Sequence, residues 1–278
     1  MAVTLGPDAL APYARVSLFN SPYPAHDRGC AVDLYPDAGG AAPSPVAGRV
    51  RDVRSVDAPA KPYAEPRDHL VLIETDEYVV RVLHVDPAVE PGDAVARGDS
   101  LGRLLRSGFF APWVDGHLHV GVREPGANHV RASGSLPLRL AVDLEPLRWD
   151  GLGTVVATGE TWARLDAPVH PDPGGAFAGI AAGGGLLDGG LPHYDGGGIL
   201  GGAIDDGGGE RPISLLGERV GTARGRTVEW ADVTVRANGR PLTGLSLFLA
   251  REQWGLKLVC PDHGFAVGDD VTVTVERS

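Results

Sequence analysis

The sequence predicts an all-β protein of two domains, and three observations carry that expectation. The first half holds short runs rich in valine and leucine, set apart by turn residues: "PVAGRVRDVRSV" (45–56), "HLVLIET" (69–75), "EYVVRVLHV" (77–85) and "HLHVGVRE" (117–124). Such runs read as strands. The end of the chain repeats the character. "VTVRANGRPL" contains the asparagine-glycine pair of a two-residue hairpin, and "DVTVTVE" alternates with period two. No long amphipathic helix is legible, and "DALAPYARV" supports one helical turn at most.

The elements fall into two blocks, 1–149 and 150–278. In the first, "EPGDAVARGDSLGRLL" (90–105) places glycines at 92, 98 and 102, as tight turns between short strands require. After "LEPLRWDGLG" the character changes, and residues 174–209 are dominated by glycine. That segment is either a flexible linker or an ordered stretch packed by its own Ile, Leu, Phe and Tyr residues. Its apolar content favours partial order. From Arg211 β patterning returns, so the second block reads as a β-sandwich or barrel carrying a glycine-rich insertion.

Composition excludes several classes. A 43% hydrophobic share is enough for a real core, and 22% charged residues argue against wholesale disorder. The net charge of −11 excludes a diffuse nucleic-acid or anionic-membrane surface, since both need clustered positive charge. Cys30 and Cys260 are far apart and imply no disulfide framework. The opening "MAVTLGPDALAPYARVSLF" has no basic region followed by an apolar run, and no stretch is long enough to span a bilayer. The expectation is a cytoplasmic protein with reduced thiols and no membrane partner.

Two short stretches bear on chemistry. In "GHLHV", His117 and His119 are i and i+2, so on a strand both imidazoles stand on one face, roughly 7 Å apart. Leu118 and Val120 then point into a core. By itself the pair is equally an ordinary polar strand face. In "HDRGCAVDLYP" (26–36), Asp33 is a carboxylate between Val32 and Leu34. A carboxylate in such a run has to be paired, hydrogen-bonded or metal-bound to offset its desolvation. A catalytic zinc takes three protein ligands and keeps a position for water, whose pKa it lowers towards 7. His26, Asp33 and His119 would make such a set. His117 and His84 ("RVLHVDP") remain to handle protons or steady an oxyanion. Alone, His84 is as well explained as a strand-end histidine before Pro87.

The order of these signals resembles one group of proteins, which joins the lysostaphin-type (M23) metallopeptidases, the D-Ala-D-Ala carboxypeptidases and the hedgehog domains. "APSPVAGRVRDV", "VVRVLHVDPAVEPGDAVARGDSLGRLLRSG" and "DGHLHVGVRE" are similar, in order and spacing, to three M23 segments across about the first half of the chain. The resemblance implies a duplicated-hybrid-motif or barrel-sandwich fold for the first domain. It implies Zn2+ as cofactor with His119 as a ligand, His84 and His117 as catalytic histidines, and a peptide or peptidoglycan-like substrate. One departure stands out. The M23 pattern His-x-x-x-Asp would put the first ligand at Gly29, which has no side chain to offer. His26-x6-Asp33, with Gly29 and Ala31 inside it, is similar instead to the His-x-x-Gly-x-Ala-x-Asp of the carboxypeptidase branch. Either a longer first loop completes the zinc site, or the scaffold persists as an inactive interaction protein. A biotinyl or lipoyl carrier, another user of this half-motif, needs a lysine at a hairpin tip. Neither Lys61 nor Lys257 is in such a context. A phosphocarrier would use His84 or His117 without metal.

Bland readings cover the rest. His69 is a rim residue, and His129, His170, His193 and His263 are expected on exposed loops. Cys30 is expected as a small buried residue.

Overall fold

The computed structural model describes residues 2–37, 39–201, 209–252 and 255–278. It is nearly all β, with one four-residue α-helix at Pro7–Leu10 and a 3-10 segment at Pro24–Gly29 among the described residues. The chain forms two compact units, residues 1–16 with 30–142, and residues 17–29 with 143–278. The division falls at Val142–Asp143 rather than at 149–150. Leu144–Leu147 is already a strand, paired in parallel with Phe177–Ile180, so the second unit starts before the change in composition.

The first unit is organised by six antiparallel neighbours. They are β1 (Ala31–Pro36), β2 (Gly48–Asp57), β3 (Arg67–Glu74), β4 (Val79–Leu83), β5 (Ala94–Val95) and β6 (Leu118–Arg123). Their order in the sheet is β1-β6-β4-β3-β2-β5. The pleat explains the pattern. In β6, Leu118, Val120 and Val122 are buried on one face, so His119 turns to the other. In β1, Val32 and Leu34 face inward on either side of the Asp33 position. A smaller sheet joins Ala41–Pro43, Ser100–Leu104 and Val85–Pro87. Gly102, at φ +141, lies so close to the Asp86 carbonyl that a Cβ there would collide with it.

The register places chemistry. His119 sits opposite Asp33 on one side and opposite Leu83 on the other. Directly opposed residues share a face of the sheet, so Asp33 and His119 are neighbours by construction. His84 follows Leu83 at the break between β4 and Val85–Pro87, with φ +70. A left-handed backbone is uncommon outside glycine, and here it turns the imidazole out of the strand.

The second unit is mostly antiparallel, with an apolar core that runs from Leu147 to Val275. The glycine-rich segment is ordered where it is described. Phe177–Ala182, Gly185–Leu191 and Gly196–Leu200 are strands, and every residue of Gly185–Leu191 is buried. Residues 202–208 of that segment lie outside the described residues. Glycine is used here for close approach. A Cβ on Gly198 would collide with the Phe19 ring, and one on Gly197 with the Trp230 ring. No sheet closes into a barrel among the described residues. Among the described residues no helix is long and apolar enough to cross a membrane.

Candidate metal centre

His26, Asp33 and His119 each present one ligand atom, and these atoms all lie within 4.8 Å of one another. The longer spacing of the first two is absorbed locally. After His26 the backbone turns through Arg28 (φ 58) and Gly29 (φ 70), then enters β1 at Ala31. Gly29 is where the sequence expects a bend, and it supplies one. Asp33 is almost fully buried, and its Oδ1 lies 3.0 Å from His119 Nδ1 and 3.5 Å from His117 Nε2.

The tautomers follow from the partners. The Nδ1–H of His26 donates to the Leu18 carbonyl at 2.8 Å, and the Nδ1–H of His117 donates to the Asp115 carbonyl at 2.9 Å. A carbonyl can only accept, so each ring carries a hydrogen on Nδ1. Burial pushes the His117 imidazole down to about 4, although Asp33 acts to raise it. The neutral Nε2 of His117 therefore faces the Asp33 carboxylate lone pair to lone pair, an arrangement that favours a proton or a cation close by.

This donor set fits zinc in type: two imidazoles and a carboxylate. His84 stands beside the group, its ring centroid 5.2 Å from that of His117 and 5.8 Å from that of His119. Phe110 packs on both His84 (4.6 Å) and His117 (4.5 Å, stacked), and Tyr35 lies 4.9 Å from His117. These rings limit where the two imidazoles can swing. Asp33, His84, His117 and His119, four of the residues singled out in the sequence, thus lie together in the first unit.

The sequence reading missed Asp68. This fully buried carboxylate accepts from the His84 amide at 2.9 Å and from His84 Nδ1 at 2.5 Å. It also accepts from the Ser107 hydroxyl at 2.7 Å and the His69 amide at 2.7 Å. Burial raises the Asp68 carboxyl, but the bonds and the charge of His84 outweigh it and leave the group below its ordinary value. Ser107 bonds to the carboxylate, so the trio lacks the order of a serine-hydrolase triad. The only signal in the sequence is an aspartate at the mouth of an apolar run, "RDHLVLIE", which has no distinctive spacing.

All four loop histidines differ from expectation, and His193 and His263 are half-buried. His129 and His170 are buried, because their ring nitrogens bond to the Glu124 and Ala176 carbonyls. Cys30 and Cys260 are buried free thiols.

Fold and side chains together define an all-β, two-domain protein whose first unit holds Asp33, His84, His117 and His119 in one cluster. Residues 4–140 match the family model described as "Domain of unknown function (DUF8155) N-terminal domain", and residues 145–276 match the corresponding C-terminal domain. With both domains matched, the chain belongs to the DUF8155 family. No curated protein and no solved structure matches it.

Proposed function

We propose that this protein is a zinc-dependent hydrolase of the lysostaphin type that cleaves a peptide or related amide bond. The observation that carries the reading is the grouping of His26, Asp33 and His119 within 4.8 Å, beside two further histidines. His26, Asp33 and His119 would each hold the metal through one ligand atom. Bound zinc would supply a Lewis acid and a nucleophile at neutral pH.

The chain's own residues set the remaining steps. Asp68 keeps the Nδ1–H of His84 engaged, so His84 Nε2 is the atom free to exchange a proton or bond to a developing oxyanion. His117 is fixed in the same way by the Asp115 carbonyl, with Nε2 directed at the cluster. The attacking water loses a proton to one of these nitrogens, and the leaving amine takes one up. Phe110 and Tyr35 flank the imidazoles with apolar surface and reduce their access to water.

The substrate class is a peptide, with peptidoglycan-like peptides the nearest match to the resemblance. The two reduced, buried thiols support a cytoplasmic setting. Hydrolysis of a peptide library and of peptidoglycan fragments, with and without chelator, tests the reading. Chelator-sensitive cleavage, lost in His119→Ala, is expected. A protein that binds such peptides but never cleaves them, whatever its metal content, would be the inactive interaction protein instead.

A further inference from the structure

Two arginines of the first unit are almost fully buried, Arg81 at 3% exposure and Arg123 at 2%. In the register of β4 with β6, Arg81 stands opposite Gly121, two residues before Arg123. Residues that oppose one another, or lie two apart on one strand, share a face of the sheet. Arg81, Arg123 and His119 therefore stand on the same face. Buried charges are normally paired, yet no ion pair joins either guanidinium to a carboxylate among the described residues. Arg123 is held by the loop after β6. It donates to the carbonyls of Asn128, Arg131 (2.6 Å) and Ser133 (2.8 Å), and to the Ser135 hydroxyl at 3.4 Å. Arg81 donates from Nε to the His129 carbonyl at 2.7 Å. The hydrogens on its Nη1 and Nη2 meet no acceptor among the described residues. Nη1 lies over Gly121, 3.9 Å from where a Cβ would stand.

From this arrangement we infer that Arg81, with Arg123 and Arg131 beside it, forms a binding site for a small oxyanion, either a carboxylate or a phosphate group. The guanidinium fork matches both in geometry and can hold either through two parallel bonds. Burial first, and then the charge of Arg123, pushes the Arg81 guanidinium down to about 10. Burial and the charge of Arg131 push Arg123 down in the same way. Three cations thus crowd together without a counter-charge, in a chain whose net charge is −11. The sequence has the same bias locally: no acidic residue stands between Glu124 and Asp143. Glu124 itself is exposed. A purely structural role accounts for Arg123, whose bonds pin the loop, but leaves both Nη groups of Arg81 unused. The site is independent of the zinc reading, and Gly121 sets it two residues along β6 from His119.

Metal-free protein in chloride buffer is titrated, at constant ionic strength, with inorganic phosphate and with N-acetylglycylglycine beside its C-terminal amide. Binding is read from the melting temperature and from the nitrogen-15 resonances of the arginine side chains. Saturable binding of phosphate, of the free-acid peptide or of both is expected in the wild type, and none of the amide. Phosphate alone assigns a phosphate ligand, and the acid alone a carboxylate. Arg81→Met keeps the stem and removes the charge. It is expected to weaken binding ~10–100-fold, the range for a hydrogen bond to a charged group. Its stability in chloride is expected to stay at or above the wild-type level, because an unpaired buried charge has gone. Arg81→Lys keeps the charge without the fork and is expected to bind with intermediate affinity. A wild type that binds neither probe would overturn the inference. So would wild-type affinity in folded Arg81→Met or, should that variant not fold, in Arg81→Lys.

Discussion

Asp68 holds His84 at two points, with one carboxylate oxygen 2.9 Å from the backbone amide and the other 2.5 Å from Nδ1. The first bond supports a left-handed backbone at φ +70, and the second aims the ring. A residue held in a sparsely populated conformation needs surroundings that over-determine it. Removing the carboxylate should free both. In Asp68→Ala, amide-bond turnover is expected to fall ~10²-fold, within the range for displaced acid-base groups. Zinc content is expected to stay at the wild-type level, because no ligand is touched. Steady-state kinetics with metal analysis checks this. Loss of metal together with activity would mean that Asp68 supports the whole site.

Asp188 gives a pH dependence with a definite sign. Burial raises its carboxyl from 3.8 to about 7, against the bonds from Ser17, Leu18 and Phe19. A pKa raised in the folded state means that the native protein binds more protons than the unfolded chain between those values. The associated stability is complete below about pH 4. It is lost as the pH rises towards and through about 7. Asp188→Asn resembles the protonated form and removes this component. Denaturant midpoints are expected to fall between acidic and neutral pH in the wild type, and to fall less in the variant. Parallel curves would contradict the assignment.

The glycines of the second unit are expected to be intolerant for packing reasons. Gly198 lies under the Phe19 ring, and both belong to the second unit. Gly198→Ala should destabilise that unit by ~1–3 kcal/mol, the usual cost of overpacking a core. Gly184, at φ +80 with open space around its would-be Cβ, is strained only by its backbone. Gly184→Ala should therefore cost less, about 1 kcal/mol. Chemical denaturation of the two variants compares the effects.

The all-β class was legible because period-two alternation and turn residues are local signals. The pairing of Asp33 with His119 was not, because register is set by strands 86 residues apart in sequence. What the sequence did offer was residue type: a carboxylate stranded among Val32 and Leu34, and two histidines on one face of a strand. Those signals mark side chains that need partners, and the structure puts them together. Asp68 escaped notice because it meets the imidazoles through His84 and so needs no motif spacing. The glycine-rich stretch reads as a linker by composition alone. Its strands become explicable only when Phe19 and Trp230 are seen lying on the bare backbone. Likewise, His129 and His170 look exposed in sequence because nothing local shows the carbonyls that their rings reach.

Ligand binding should appear in stability as well as in stoichiometry. Zinc at ~100 times its dissociation constant stabilises a single site by ~2.7 kcal/mol. Addition of zinc to metal-free wild type is expected to raise the melting temperature. His26→Ala and Asp33→Ala should lose most of that increment. An equal increment in all three proteins would place the metal elsewhere.

The most direct test of the central claim is metal analysis of protein purified without added metal, in the wild type and in His119→Ala. The account predicts one zinc per wild-type chain and little in the variant. Wild-type protein without stoichiometric zinc, together with a His119→Ala variant as stable and active as the wild type, would contradict it.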